Sequence, residues 1–307
     1  MTSLVLSIES FAQKISWRLY MIRIVFFLLL KHGVWKSVIF RIFHIEACFD
    51  SNNEVLRLRS KSIFGPRDTT LIVPKDNFIY LHFKRSGFWG LPTSYFIRHK
   101  MKKLDNPLVL DLGAHAGLVS LQALKMNFNK GRVVAVEALP NHYHALVCNF
   151  SPEKLVAFSG AITGEDFLSR ISIAVDTNNL GNSSLLSDLV SSQNVQVNQT
   201  EVDVISKDLL LNEIGISSFI LKSDLQGYDA KVLSSFPANF WNSCKAGVIE
   251  VNAGSAINAL DVSEVLRRID CFANVSWTPF NIKRLNTQEI YEFWTSKSGQ
   301  ERDLYFW

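Results

Sequence analysis

Asp111, Gly113, His115, Gly117 and Glu137 are the residues whose types and spacing best suit a defined chemistry, the binding of a nucleoside. The apolar run 107–112 carries Asp111 near its end and leads into a glycine turn. A helical segment follows at once, and a second apolar run, 131–137, ends in Glu137. Two such runs joined by a helix predict parallel strands with a right-handed crossover. Ligands of such sheets sit beyond the carboxyl ends of the strands. Gly113 permits the sharp turn, Gly117 lets the helix approach the sheet, and the helix N-terminus offers free N–H groups to an anion. Glu137 then stands where one carboxylate accepts hydrogen bonds from both hydroxyls of a ribose. A dinucleotide site favours G-x-G-x-x-G, because the second glycine admits the pyrophosphate. Here that position is His115, whose side chain crowds a pyrophosphate. A cofactor without phosphates, such as S-adenosylmethionine, is the better match, with its amino-acid end in this loop. A glycine turn before a helix is by itself only a turn; the flanking strand, helix and acid together carry the reading.

The elements that must position these residues follow from the rest of the chain. Its 307 residues, 48% hydrophobic, suffice for one large domain with attachments. The division reads as a basic apolar arm over 1–45, a β-meander and connector over 46–100, and the nucleoside-binding domain over 101–307. The arm carries Lys14, Arg18, Arg23, Lys31, Lys36 and Arg41 against Glu9, so the net charge of +4 resides in it. A nucleic-acid enzyme more often places positive charge around its cleft, so no nucleic-acid partner is expected. The arm's apolar run is too broken by charge for a membrane span. Two readings of it stand side by side: short helices packed on the domain or in a homo-oligomer, and a peripheral contact with a membrane surface. Cys48, Cys148, Cys244 and Cys271 are scattered without metal spacing and read as thiols of a reducing, cytoplasmic compartment.

Residues 54–59, 70–73 and 78–83 alternate as strands of a small antiparallel meander. The aromatic-rich stretch 87–96 reads as a packed connector or part of a lid. A helix is expected from Pro140, with strands at 154–158, 171–175 and 195–204 and a polar loop at 177–184. A helix at 206–214, a buried strand at 219–224, a helix to Phe236, a strand at 246–252, a helix at 262–271 and a closing strand at 303–307 complete an α/β alternation.

Four segments, D-L-G-A-H-A-G (111–117), V-E-A-L-P-N (136–141), L-K-S-D-L-Q-G-Y-D (221–229) and D-L-Y-F (303–306), resemble the FkbM-type methyltransferases, with an echo in N-L-G-N-S (179–183). The resemblance implies a Rossmann-like class I methyltransferase sheet of seven strands, the last antiparallel, here with an N-terminal helical arm and the small β-meander. It implies use of S-adenosyl-L-methionine, commonly for O-methylation of a sugar, glycolipid or secondary metabolite, so a small-molecule or glycan acceptor is expected. Carried over by position, Asp111, Gly113, Ala114, His115 and Gly117 would surround the methionine part. Glu137 would hold the ribose, and Ala138 with Ala161 would flank the adenine. Lys222 and Asp224 would end the fourth strand, facing the methyl. Because a sugar hydroxyl is a weak nucleophile, Asp224 is the first candidate base and Glu250, at the end of the adjacent strand, the second. Cofactor capture by Asp224, or helix capping, and a structural role for Glu250 are the plainer alternatives. No His, Asp or Glu cluster calls for a metal, and Mg²⁺ is compatible but not implied. The chain departs from the family at Gln226, where D-x-E-G is usual. That departure keeps a non-catalytic nucleoside-binding protein in play, while His115 argues against an NAD enzyme.

Overall fold

A computed structural model describes residues 45–49, 54–58, 69–75, 78–165, 167–176, 181, 183–185, 197–253, 258–280, 284–296 and 298–307. The expected helical arm lies outside these residues. The first three strands, β1 (Ile45–Phe49), β2 (Glu54–Leu58) and β3 (Thr69–Ile72), form an antiparallel sheet in the order β1-β2-β3. Two strands of the expected meander are thus present, but its third is not residues 78–83. That stretch is a helix, α1 (Ile79–Ser86). Ile79 and Phe83 are buried four residues apart, and this helical spacing prevails over the apolar–polar alternation that suggested a strand. Ile45–Phe49, ahead of the expected meander, supplies the remaining strand. The connector becomes α2 (Leu91–Met101), with a proline in its first turn.

The main sheet is built from β4 (Leu108–Leu112), β5 (Arg132–Glu137), β6 (Leu155–Ser159), β9 (Phe219–Ser223), β10 (Cys244–Asn252), β11 (Val275–Ser276) and β12 (Glu301–Phe306). Its order is β11-β12-β10-β9-β4-β5-β6. β4, β5, β6, β9 and β10 run parallel, and only β12 opposes its two neighbours. This is the expected Rossmann-like sheet of seven strands with the last antiparallel; the two-residue β11 carries too little pattern to be read in advance.

The strands are apolar on both sides because both faces of the sheet are covered. Val109, Val133, Ile220 and Val248 face one core, packed under α1, α2, α3 (Leu118–Met126) and α4 (Pro140–Asn149). Leu110, Val134, Leu221 and Ile249 face the other. That core lies under α5 (Lys207–Ile214), α6 (Asp229–Ser234), α7 (Ala238–Ser243), α8 (Ala259–Ile269) and α9 (Thr287–Trp294). The strands expected near 171–175 and 195–204 do not join this sheet. They form a separate antiparallel pair, β7 (Arg170–Asp176) and β8 (Val197–Asp203), attached where Ala161 bridges to Val204. The chain leaves β4 toward β5 on one side and β9 toward β10 on the other, so the crevice at the carboxyl ends of β4 and β9 is where a ligand of this topology sits. No helix among the described residues is long and apolar enough to cross a membrane.

Candidate functional site

The carboxyl ends of β4, β5, β9 and β10 open into one cavity. Its wall includes Gly113, Ala114, His115, Glu137, Ala138, Ala161, Lys222, Asp224 and Glu250. Asp111 and Gly117, also expected at the cofactor, stand behind that wall. Asp111 is fully buried, accepts from the Ser120 hydroxyl at 2.5 Å and pairs with Lys222 Nζ at 2.9 Å. A Cβ on Gly117 would come within 2.6 Å of Leu146 of α4 and of Phe150 just beyond it, so this glycine serves helix packing.

The glycine turn is held from both neighbouring strands. The N–H groups of Gly113 and Ala114 donate to the Val136 carbonyl, and Lys222 Nζ donates to the Gly113 carbonyl at 3.0 Å. Gly113 has φ +73°, and a Cβ there would lie 1.9 Å from the Asp224 carbonyl oxygen. Only glycine allows the first loop to touch the backbone that carries Asp224. His115 adopts φ +53°, a left-handed conformation that places its backbone N–H on Glu137 Oε2 at 2.7 Å.

Glu137 ends β5 nearly buried. Its Oε1 accepts from the Leu139 N–H at 2.9 Å and lies 3.5 Å from His142 Nδ1. Burial alone would raise its pKa, but His142 and the two backbone donors outweigh that and hold it below the usual carboxylate value. The His115 ring packs on that of His142 at a centroid distance of 3.8 Å. Burial, His142 and Lys222 push the His115 pKa well below the ordinary imidazole value, so the ring is neutral at pH 7. Between these groups and Ala161 and Ile162, the cavity wall is apolar.

The opposite side of the cavity is acidic. Burial opposes the charge on Lys222, but Asp111 and Asp224 more than offset this and raise its pKa, so it stays an ammonium and is no base. Asp224 Oδ2 lies 3.7 Å from that ammonium, with its side chain 36% exposed. Gln226 Nε2 donates to Asp224 Oδ1 and to Glu250 Oε2, both at 2.8 Å. Burial, then Asp224, push the Glu250 pKa well above its ordinary value. The structure therefore separates the two candidate bases. Glu250 is biased toward its neutral form, whereas Asp224, with one oxygen on Gln226 and the other near Lys222, keeps its side chain 36% exposed. Asp229 pins the turn between them by accepting from the Ser223 hydroxyl at 2.5 Å and the Leu225 N–H at 3.1 Å.

Several wall residues escaped the sequence reading. His142 had a signal, since it lies in the first turn of a helix that begins just after Glu137. Phe78 and Trp89 pack edge to face at 5.7 Å and line the mouth, and Trp89 belongs to the aromatic stretch already singled out. Glu301, from β12, gave none. Among the described residues no group of three His, Cys, Asp or Glu is arranged to hold a metal.

Residues 111–269 match the profile of the methyltransferase FkbM domain. Among solved structures the chain is similar to precorrin-6y C5,15-methyltransferase from Geobacter metallireducens, with 9% identity and a TM-score of 0.34 over 70% of this chain and 86% of that one. It is similar to the Methanococcus jannaschii fibrillarin pre-rRNA processing protein, with 12% identity and a TM-score of 0.36 over 86% and 97%. A SAM-dependent O-methyltransferase from Thermotoga maritima gives 11% identity and a TM-score of 0.36 over 85% and 76%. No curated protein matches the chain.

Proposed function

The chain belongs to the FkbM methyltransferase family, and we propose that it moves the methyl group of S-adenosylmethionine to a hydroxyl of a sugar-bearing acceptor. The observation that carries this reading is one cavity with Glu137 on one wall and Asp224 on the other. The residues present fit the cofactor. Glu137 is a carboxylate kept anionic by His142 and two backbone N–H groups, which suits two ribose hydroxyls. Ala138, Leu139, Ala161 and Ile162 offer small apolar surfaces to an adenine. His115 stands where a dinucleotide motif has the glycine that admits a pyrophosphate.

When bound, S-adenosylmethionine supplies an electrophilic methyl on a sulfonium. The chain's own task is to align a hydroxyl with it and remove one proton. Asp224 would take the proton of an acceptor hydroxyl held against that methyl. Lys222 stays protonated, joins Asp111 to the Gly113 carbonyl, and fixes the height of the loop against β9. Trp89 and Phe78 offer ring faces to the apolar side of a sugar, and Glu250 and Glu301 offer polar groups to its hydroxyls.

The test is turnover on a panel of mono- and oligosaccharides with S-adenosylmethionine, read by mass spectrometry of the products. Wild type adds one methyl to a hydroxyl. Asp224→Asn keeps cofactor affinity and loses about 10²–10⁴-fold in kcat. Retained turnover with weakened cofactor binding would instead make Asp224 a binding residue.

A further inference from the structure

We propose that Gln226 is a positioning residue that fastens Asp224 and Glu250 into one acid pair, with a side-chain amide standing where three carboxylates would otherwise meet. Its kinetic consequence rests on the methyl-transfer reading above; the pairing itself does not.

The geometry is specific. A carboxamide nitrogen has two N–H donors. In Gln226 one goes to Asp224 Oδ1 and the other to Glu250 Oε2, each at 2.8 Å. To reach both, the residue takes φ +49°, a left-handed conformation that a glutamine rarely adopts. That backbone is held from outside the turn. The Gln226 carbonyl accepts from the Ser184 hydroxyl at 2.7 Å, and Ser184 is itself bridged to Ala174 of β7. From inside, Asp229 holds Ser223 and Leu225. A side chain kept in an unfavourable backbone state by two independent supports is the pattern of a functional constraint.

The electrostatics explain why an amide is suited here. Asp224 and Glu250 face Glu301 and Asp303 from β12, Asp229 from α6, and the Lys222 ammonium from β9. Lys222 lies closest to Asp111, at 2.9 Å. A glutamate at 226 would add a further negative charge and remove both donors. Gln226 instead supplies donors without charge and occupies Asp224 Oδ1, while Oδ2 lies 3.7 Å from the Lys222 ammonium.

The test reads the pair directly. Carboxyl groups of the full chain, ¹³C-labelled at Asp and Glu, are titrated by NMR in wild type, Gln226→Gly and Gln226→Glu, with Glu250→Gln assigning the signal. Gln226→Gly suits the left-handed backbone, so it deletes the amide without threatening the fold. Loss of donors to the charged forms raises a carboxyl pKa. Both variants should therefore move the Glu250 midpoint up by about one unit or more. An unmoved midpoint in Gln226→Gly overturns the proposal. With a working acceptor, kcat of Gln226→Gly should fall at least about 10-fold, with the acidic limb of its pH profile shifted upward. A merely structural residue would leave that limb in place, and that outcome also overturns the proposal. A shifted Glu250 signal in a wild-type chain that methylates nothing would leave the acid pair standing and remove the functional reading.

Discussion

Gly113→Ala tests the contact on which the site's geometry depends. The added Cβ would lie 1.9 Å from the Asp224 carbonyl oxygen, whereas real Cβ contacts stay beyond 3 Å or so. The obstacle is backbone, so no rotamer relieves it, and the loop or the end of β9 must retreat by roughly 1 Å. The residue also needs φ +73°, which costs a side-chain-bearing residue about 1–2 kcal/mol. Displacement of a reacting group by about 1 Å is worth on the order of 10²-fold in rate. The same shift stretches the Lys222 hydrogen bond to the Gly113 carbonyl. The expected outcome is a folded protein with a lowered Tm, weakened binding of S-adenosylhomocysteine by calorimetry, and kcat down by about two orders of magnitude. Threefold or smaller changes in both affinity and kcat would refute the argument that this close approach sets the site.

Two further outcomes follow from other parts of the chain. Burial raises the Asp229 pKa from 3.8 to about 7, so between these values the folded state keeps a proton that the unfolded state has released. Stability should fall as pH rises through that window, by up to about 4 kcal/mol from this group. Asp229→Asn should flatten the slope in urea melts at about pH 5 and pH 8; an unchanged slope counts against the buried acid. For residues 1–45, the +5 charge and interleaved Trp17, Tyr20 and Trp35 predict that full-length protein floats with anionic liposomes at low salt, each basic residue adding about 1 kcal/mol. Protein that stays in the soluble fraction would contradict that reading.

The centre of the fold was legible because β4, β9 and β10 are buried parallel strands and read as short apolar runs with turns at both ends. Asp111, Gly113 and Glu137 mark the ends of such runs, so their neighbourhood followed from chain order. Residues 78–83 misled because a run of six fits both a period of 2 and a helical turn, and burial of Ile79 with Phe83 decides the matter only in three dimensions. Asp111 was expected at the cofactor, yet its role depends on pairing with Lys222, 111 residues later. The place of Asp224 beside Glu250 follows from strand order, since Ser223 pairs with Ile249 one residue earlier. The reach of Gln226 to both acids does not, because it depends on a left-handed φ that no local pattern announces. His142 from α4, Trp89 from the α1–α2 connection and Glu301 from β12 enter the wall from distant parts of the chain, and only packing brings them together.

The central claim is that this cavity holds S-adenosylmethionine with its ribose on Glu137. Calorimetric titration of wild type and Glu137→Ala with S-adenosylmethionine tests it most directly. The account predicts measurable binding by wild type, weakened in the variant by on the order of 1.5–3 kcal/mol for hydrogen bonds to a charged group, roughly 10- to 150-fold in Kd, with the thermal transition of the variant still cooperative. Equal affinity in the two proteins, or no binding by wild type, would contradict it.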